Sequence, residues 1–175
     1  MKRQHKTSII THLSAQKSAI LDRWLKAIYE SYPPETAIFL KKEKDRFDNP
    51  VGYRISQGLE GLYRALLQEM ETDQILAYLD EIIRIRALQD FAPSQALAFI
   101  FLLKDIIRQE LADEIRKEDL AQEVLELESR IDGLALLGFD VYSKRREKIH
   151  EIRTNEMKSR ISALLRRAGI GSDSI

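Results

Sequence analysis

The chain has 175 residues, no cysteine, and 28 basic against 28 acidic side chains. Disulfides, thiolate metal sites and cysteine nucleophiles are therefore excluded. Hydrophobic residues make up 44% and charged residues 32%, with seven glycines and four prolines, which excludes a disordered chain and fits a helix-rich globular one. The neutral total hides an asymmetry. Residues 144–167 hold nine Lys and Arg against three Asp and Glu, while residues 1–143 hold nineteen against twenty-four. An acidic body carries a basic C-terminal segment.

The basic start, MKRQHKTSIITHLSAQKS, leads into no apolar run of signal-peptide length. The most apolar stretch, ALAFIFLL at 96–103, stops at Lys104, well short of the ~20 residues of a membrane span. The expectation is a cytoplasmic protein with no membrane insertion.

In chain order, Ile9, Leu13, Ile20, Trp24 and Ile28 share one face of a helix over 8–31. Pro33 and Pro34 end it, and Pro34 suits the first position of a short helix over 34–43 that packs Ile38 and Phe39. A charged connection follows. Asp48 or Asn49 then caps a helix over 50–71, with Val51, Ile55, Leu59, Leu62, Leu66 and Met70 on its stripe. Thr72 or Asp73 caps the next, over 73–89, with Ile75, Leu79, Ile82 and Ile83 inward. The helix over 93–113 is apolar almost all round, the pattern of a helix in the middle of a bundle. Two more helical segments, 118–132 and 133–168, complete the chain, with Gly133 and Gly138 marking a bend between them.

Period-2 alternation is absent. The fold class is all-α: a single helical bundle of six to eight helices with a long C-terminal helix. The domain division is 1–140 for the body and 141–175 for a basic amphipathic helix and short tail.

Three glycines inside one helix need a reason, since each costs roughly 1 kcal/mol against alanine. Gly58, Gly61 and Ala65 fall at i, i+3 and i+7 and form a strip of small residues. Such a strip lets another backbone approach closely, so the reading is a tight helix crossing. It is no phosphate cradle, because the G-x-G-x-x-G spacing, the preceding strand and the Walker lysine are all missing.

Chemistry-bearing clusters are scarce. The histidines are His5, His12 and His150, none on the central helices, which disfavours a haem ligated by histidine. Glu147 and His150 form a lone E-x-x-H in a basic segment, and a di-iron site needs two such motifs plus further carboxylates. Glu123 and Glu126 read as solubilising charge. No G-x-S-x-G nucleophile motif occurs. Neither a cofactor, a metal site nor an enzymatic activity is expected.

The segment from Val141 to Leu165 is the most informative. Val141, Ile149, Ile152, Ile161 and Leu164 read as an output or dimer helix, interrupted by Arg145 and Glu156, with KRREK and RR on its other faces. It can pair with its twin, fold back on the acidic body, or bind an anionic surface. Zero net charge and the lack of a DNA-binding motif weigh against nucleic acid. Pairing or docking is preferred. The expected partner is a second copy, in a homodimer, or a separate signalling protein; a small-molecule ligand for the body is a further option.

Three stretches carry a family resemblance: ILDRWLKAIYES (20–31), RFDNPVGYRISQGLEGLYRALL (46–67) and IIRIRALQDFAPSQALAFIFLLKDIIRQEL (82–111). With Trp24, Asn49-Pro50-Val51-Gly52 and Phe91-x-Pro93-Ser94 in this order, residues 15–145 resemble the N-terminal sensor domain of RsbRD-type RsbT co-antagonists of the bacterial stressosome. The resemblance implies a globin-like body without haem and a helix that leaves it to transmit a signal. In that family the helix joins a STAS domain with phosphorylatable threonines. Here the sequence ends at residue 175 without one, so signalling is expected to pass through a separate partner or the C-terminal helix itself. The implied role is a non-enzymatic sensory domain of stress or respiratory signalling. The alternatives are a haem- or cofactor-binding sensor and a nucleic-acid-associated regulator.

Overall fold

A computed structural model describes residues 8–42 and 47–168. These form eight helices and no strand: α1 (Ile9–Ala15), α2 (Lys17–Glu30), α3 (Pro34–Lys42), α4 (Pro50–Leu67), α5 (Thr72–Leu88), α6 (Pro93–Glu110), α7 (Ala112–Glu118) and α8 (Ala121–Arg167). His5, the charged connection over 43–46 and the tail over 169–175 lie outside the described residues.

The first helix expected from periodicity is two helices. Ser14 Oγ donates to the Ile10 carbonyl at 2.7 Å, a back-bond that bends helices. Long-range contacts then hold α1 in place. Glu123 Oε2 accepts from the Ile9 N–H at 2.8 Å, and His12 Nε2 lies 2.9 Å from Glu118 Oε2. The chain breaks at Gln16, and α2 runs on separately with Ile20, Trp24 and Ile28 fully buried. Trp24 Nε1 donates to the Phe99 carbonyl at 2.6 Å, so the indole fills the core and still satisfies its donor.

α3 is rotated from the expected register. Ala37 and Leu40 are buried, whereas Ile38 and Phe39 are exposed. The next turn sets that rotation: Asn49 Nδ2 donates to the Leu40 carbonyl at 3.1 Å. Asn49 also caps α4, its Oδ1 accepting from Gly52 N–H at 2.7 Å. A Cβ at Gly52 would collide with that capping side chain, so the glycine serves the cap.

α4 buries Ile55, Leu59, Leu62, Tyr63 and Leu66, and α5 buries Leu79, Ile82, Ile83 and Ala87. Glu71, not Thr72 or Asp73, holds the cap position of α5 and makes no side-chain cap bond. α6 packs on α2, α5 and α8. It is not covered all round: Phe101 and Leu102 are exposed, because no element among the described residues overlies that side.

The polar residues around 113–119 form the two-turn α7. Asp119 ends it in the left-handed region at φ 54, and the Leu120 N–H returns to the Ile115 carbonyl at 3.1 Å. This is the 6→1 bond of a Schellman stop. α8 then runs 47 residues without a break, about 70 Å. The helix continues through both glycines. A Cβ on Gly138 would come 3.1 Å from both Leu97 and Ile100; that glycine lets α8 lie close on α6. Gly133 meets nothing within 4 Å, and its neighbours in the helix carry it through. One contiguous core joins residues from Ile9 to Tyr142.

Candidate functional site

The structure concentrates its unusual features where α8 leaves the body. Val124, Leu127, Ile131, Leu134, Ala135, Gly138, Val141 and Tyr142 are buried, the 3–4 spacing of a helix seated on a core. Val141, read from sequence as part of the output helix, is therefore a body residue, covered because α5 and α6 extend beneath it. Tyr142 marks the last buried turn. Its hydroxyl donates to the Phe91 carbonyl at 2.6 Å.

Ion pairs hold α8 along both flanks. Arg108 binds Glu128 through two nitrogens, and Lys104 Nζ lies 2.6 Å from Asp132. Beyond the core, Arg145 grips Asp80 through both Nε and Nη2. Arg146 donates to Asp90 at 2.6 Å and to the Ala87 carbonyl at 3.2 Å, and Arg153 reaches Asp90 at 3.4 Å. The carboxylates raise the pKa of Arg145 and Arg146, through hydrogen bonds above all. Asp90 is held below the usual carboxylate range by its hydrogen bond from Arg146 and by the Arg153 charge. Single exposed pairs contribute about 0–1 kcal/mol, so this ladder positions α8 more than it stabilises the fold. Two arginines of the KRREK run are spent on it, leaving less free charge there for a phosphate backbone.

Asp90 sits in the left-handed region at φ 57. It closes α5 with the Phe91 N–H on the Arg86 carbonyl at 3.2 Å and its own N–H on Ala87 at 3.4 Å. This is a Schellman stop, in which the residue after the left-handed one packs back on the helix. Here that contact is Phe91 stacked on the Arg86 guanidinium, 4.4 Å from ring centroid to Cζ.

Arg86 is 1% exposed and has no carboxylate partner among the described residues. Its Nη2 donates to Ser31 Oγ and to the Gln95 carbonyl, both at 2.9 Å. The Tyr32 ring lies 5.3 Å away on another side. Aromatic faces and the carbonyl end of α2 balance the charge in place of an anion. Burial nonetheless lowers the Arg86 pKa and raises that of Tyr32, the latter partly offset by the guanidinium. Nε and Nη1 of Arg86 and the Tyr32 hydroxyl are buried without a well-formed hydrogen bond. This hub ties the ends of α2 and α5 to the start of α6, and through Phe91 to Tyr142 of α8. Sequence reasoning missed it, since an arginine near a helix end looks like a solvated charge.

Past Arg153 the helix makes no ion pair or hydrogen bond to the body among the described residues. Residues 154–162 are all exposed. Ile149 is partly buried, whereas Ile152, Ile161 and Leu164 are exposed. At 3.6 residues per turn Ile161 lies about 120° round the helix from Ile149. The five residues read as one stripe therefore occupy two faces. Val141, Ile149 and Ile152 line the side toward the body, and Ile161 and Leu164 form a second seam with Met157, 62% exposed. The i, i+4, i+7 spacing of Met157, Ile161 and Leu164 was the signal that identifies this seam.

The small-residue strip lies elsewhere, where α5 crosses α4. A Cβ on Gly58 would come 2.7 Å from Ile82 Cγ1 and 3.0 Å from the Tyr78 carbonyl, and one on Gly61 would overlap the Tyr78 ring. Ala65 is buried beside them, its carbonyl accepting from Arg130 at 2.9 Å. His12 sits at the α1–α7 corner and His150 is exposed, so neither is placed to ligate a haem iron in the core. Among the described residues no cluster of three or more His, Asp or Glu could hold a metal ion, and no helix is long and apolar enough to cross a membrane. A cleft of about 980 Å³ lies between the α4–α5 turn and α8, lined by Leu66, Met70, Ile75, Leu134 and Leu137 with Glu69 and Glu71 among its polar residues.

An all-α body whose last helix runs on into solvent defines a class of domain that presents a helix. The family model for the RsbT co-antagonist protein rsbRD N-terminal domain matches residues 18–157, from the start of α2 into the exposed end of α8. The chain belongs to this family, a regulatory one linked to stress signalling and not a known enzyme family. No curated protein and no solved structure matches the chain.

Proposed function

We propose that the chain is a sensory domain that relays events in its helical body to a partner along α8. One observation carries the reading. α8 is a single uninterrupted helix, with its first half built into the core and its last turns free. A rigid element shared by core and solvent converts a change in one into displacement of the other. The Arg86 hub and the Asp90 corner support the reading, because they join the ends of α2 and α5 and the start of α6 to α8 at the point where α8 departs. In this reading the body is haem-free and globin-like, and the protein is cytoplasmic.

The relay is tested by distance. The chain has no native cysteine, so Gln74→Cys with Leu164→Cys carries one spin-label pair from body to tip. Adding Asp80→Ala and Asp90→Ala removes the carboxylates that grip Arg145, Arg146 and Arg153. The expected result is a shifted or broadened distance distribution in an otherwise folded protein. An unchanged distribution would mean that α8 is held by its core contacts alone and that the corner has no hold on the tip.

A small ligand in the body is the second reading, favoured by the cleft between the α4–α5 turn and α8. Native mass spectrometry of gently purified protein tests it, with added mass as the supporting outcome and a bare chain as the opposing one.

A further inference from the structure

We propose that the free end of α8 docks a helix with acidic flanks belonging to a separate protein, not the same helix of a second copy. The inference rests on the relay reading above and adds the partner's chemistry. Thr154, Met157, Ile161, Leu164 and Ala168 alternate three and four apart, the seam spacing of a two-stranded coiled coil. Met157, Ile161 and Leu164 are all exposed on this free stretch, and nothing among the described residues covers them.

The flanks choose the partner. Arg153, Arg160 and Arg167 recur every seven residues along one edge of the seam. The other edge carries Glu151, Lys158 and Leu165. These are the edge positions where coiled-coil pairs select by charge. Paired in parallel with itself, the helix would set Arg153 against Lys158 and Arg160 against Leu165. Paired antiparallel, it would set arginine edge against arginine edge. Neither arrangement offers the arginines a carboxylate, and like charges in register discriminate against a pairing. A helix with apolar residues at the same spacing and Glu or Asp at its edges satisfies the seam and all three arginines. Arg160 and Arg167 appear in no ion pair within the chain among the described residues, whereas Arg153 makes only the long contact to Asp90.

The experiment uses the full chain and three labelled three-heptad peptides. The first has Leu at the seam and Glu at the edges, the second Leu and Lys, the third Ser and Glu. Binding is read by fluorescence anisotropy at about 50 and 300 mM salt, which separates screened from contact terms. The first peptide should bind at least about tenfold more tightly than either control. Ile161→Ser with Leu164→Ser should lose that binding. Arg160→Glu with Arg167→Glu should lose it too and gain the Lys-edged peptide. Both pairs lie on the free helix, so the core is untouched.

Equal binding of the Ser-seam peptide would reduce the contact to bulk charge and overturn the proposal. So would failure of every peptide, or capture by anionic vesicles in preference to the first peptide. A native-mass dimer that Ile161→Ser with Leu164→Ser dissolves would assign the seam to a second copy instead. The two readings fail separately: a moving tip with no peptide bound removes only the partner chemistry, and a bound peptide on an unmoved tip removes only the relay.

Discussion

The same substitution, glycine to alanine, should change stability in opposite directions at two positions of this protein. Gly133 lies inside α8, and a Cβ there would meet nothing within 4 Å. Alanine keeps the helix and lowers its entropic cost, so Gly133→Ala should stabilise by about 0.5–1 kcal/mol. Gly58 lies under α5, where the added carbon would sit 2.7 and 2.9 Å from two carbons of Ile82 and 3.0 Å from the Tyr78 carbonyl. Ordinary carbon contacts need about 3.5–4.0 Å. Ile82 is fully buried and the carbonyl is backbone, so α5 itself must move. Overpacking of that kind costs about 1–3 kcal/mol. After the helix-propensity gain of roughly 1 kcal/mol, a net loss of up to ~2 kcal/mol remains. Guanidinium unfolding at matched slope reads both, and thermal midpoints should separate by several degrees at about 2–4 °C per kcal/mol. If Gly58→Ala proves as stable as Gly133→Ala, the close approach of α4 and α5 is not real.

Burial raises the phenols of Tyr29, Tyr32 and Tyr63 above their ordinary value of 10.0. The unfolded chain therefore ionises first as pH rises, the folded state binds more protons, and stability falls above about pH 10, the phenols contributing no slope below it. Urea midpoints across that range check this, and Tyr63→Phe should flatten the fall while costing about 1 kcal/mol at neutral pH through the lost bond to Leu13. At the hub, Arg86→Met should cost less than Arg86→Lys by about 1 kcal/mol or more, because methionine removes a buried charge that lysine keeps without the flat stack on Phe91. Matched denaturation curves decide it, and equal losses would mean that the guanidinium is fully satisfied. Asp90→Gly relieves a left-handed conformation and loses only exposed, solvent-screened ion pairs, so the melting point should hardly move. Amide exchange over 146–160 should nevertheless quicken, and unchanged exchange would strip the corner of its role.

Proline and capping chemistry made several helix starts legible: Pro34, Pro50 and Pro93 each open a helix, and Asn49 caps one. Periodicity located most of the core, as Ile20, Trp24 and Ile28 illustrate. What escaped was decided by contacts distant in sequence. The break at Gln16 follows from bonds to Glu118 and Glu123 more than a hundred residues away. The rotation of α3 depends on Asn49 reaching back to Leu40. Gly138 resembles a helix breaker in sequence, yet it is a contact surface for α6. Only the continuity of α8 through both glycines separates the partly buried Ile149 from the outward Ile161, because two faces about 120° apart merge in a loosely read stripe. Arg86 had no sequence signal at all: its partners are a carbonyl, a hydroxyl and two rings gathered from three other places in the chain.

The length of α8 past its last buried turn has a mechanical consequence. From Tyr142 to Arg167 the axis is about 37 Å long, so a tilt of only ~5° at the root sweeps the tip through about 3 Å. That is a fraction of a helix turn and enough to break the register of a short helical contact. The body need not rearrange to be read at a distance. In the relay proposed above, a repacking too small to disturb the core would decide, at the end of this lever, between a partner engaged and a partner released.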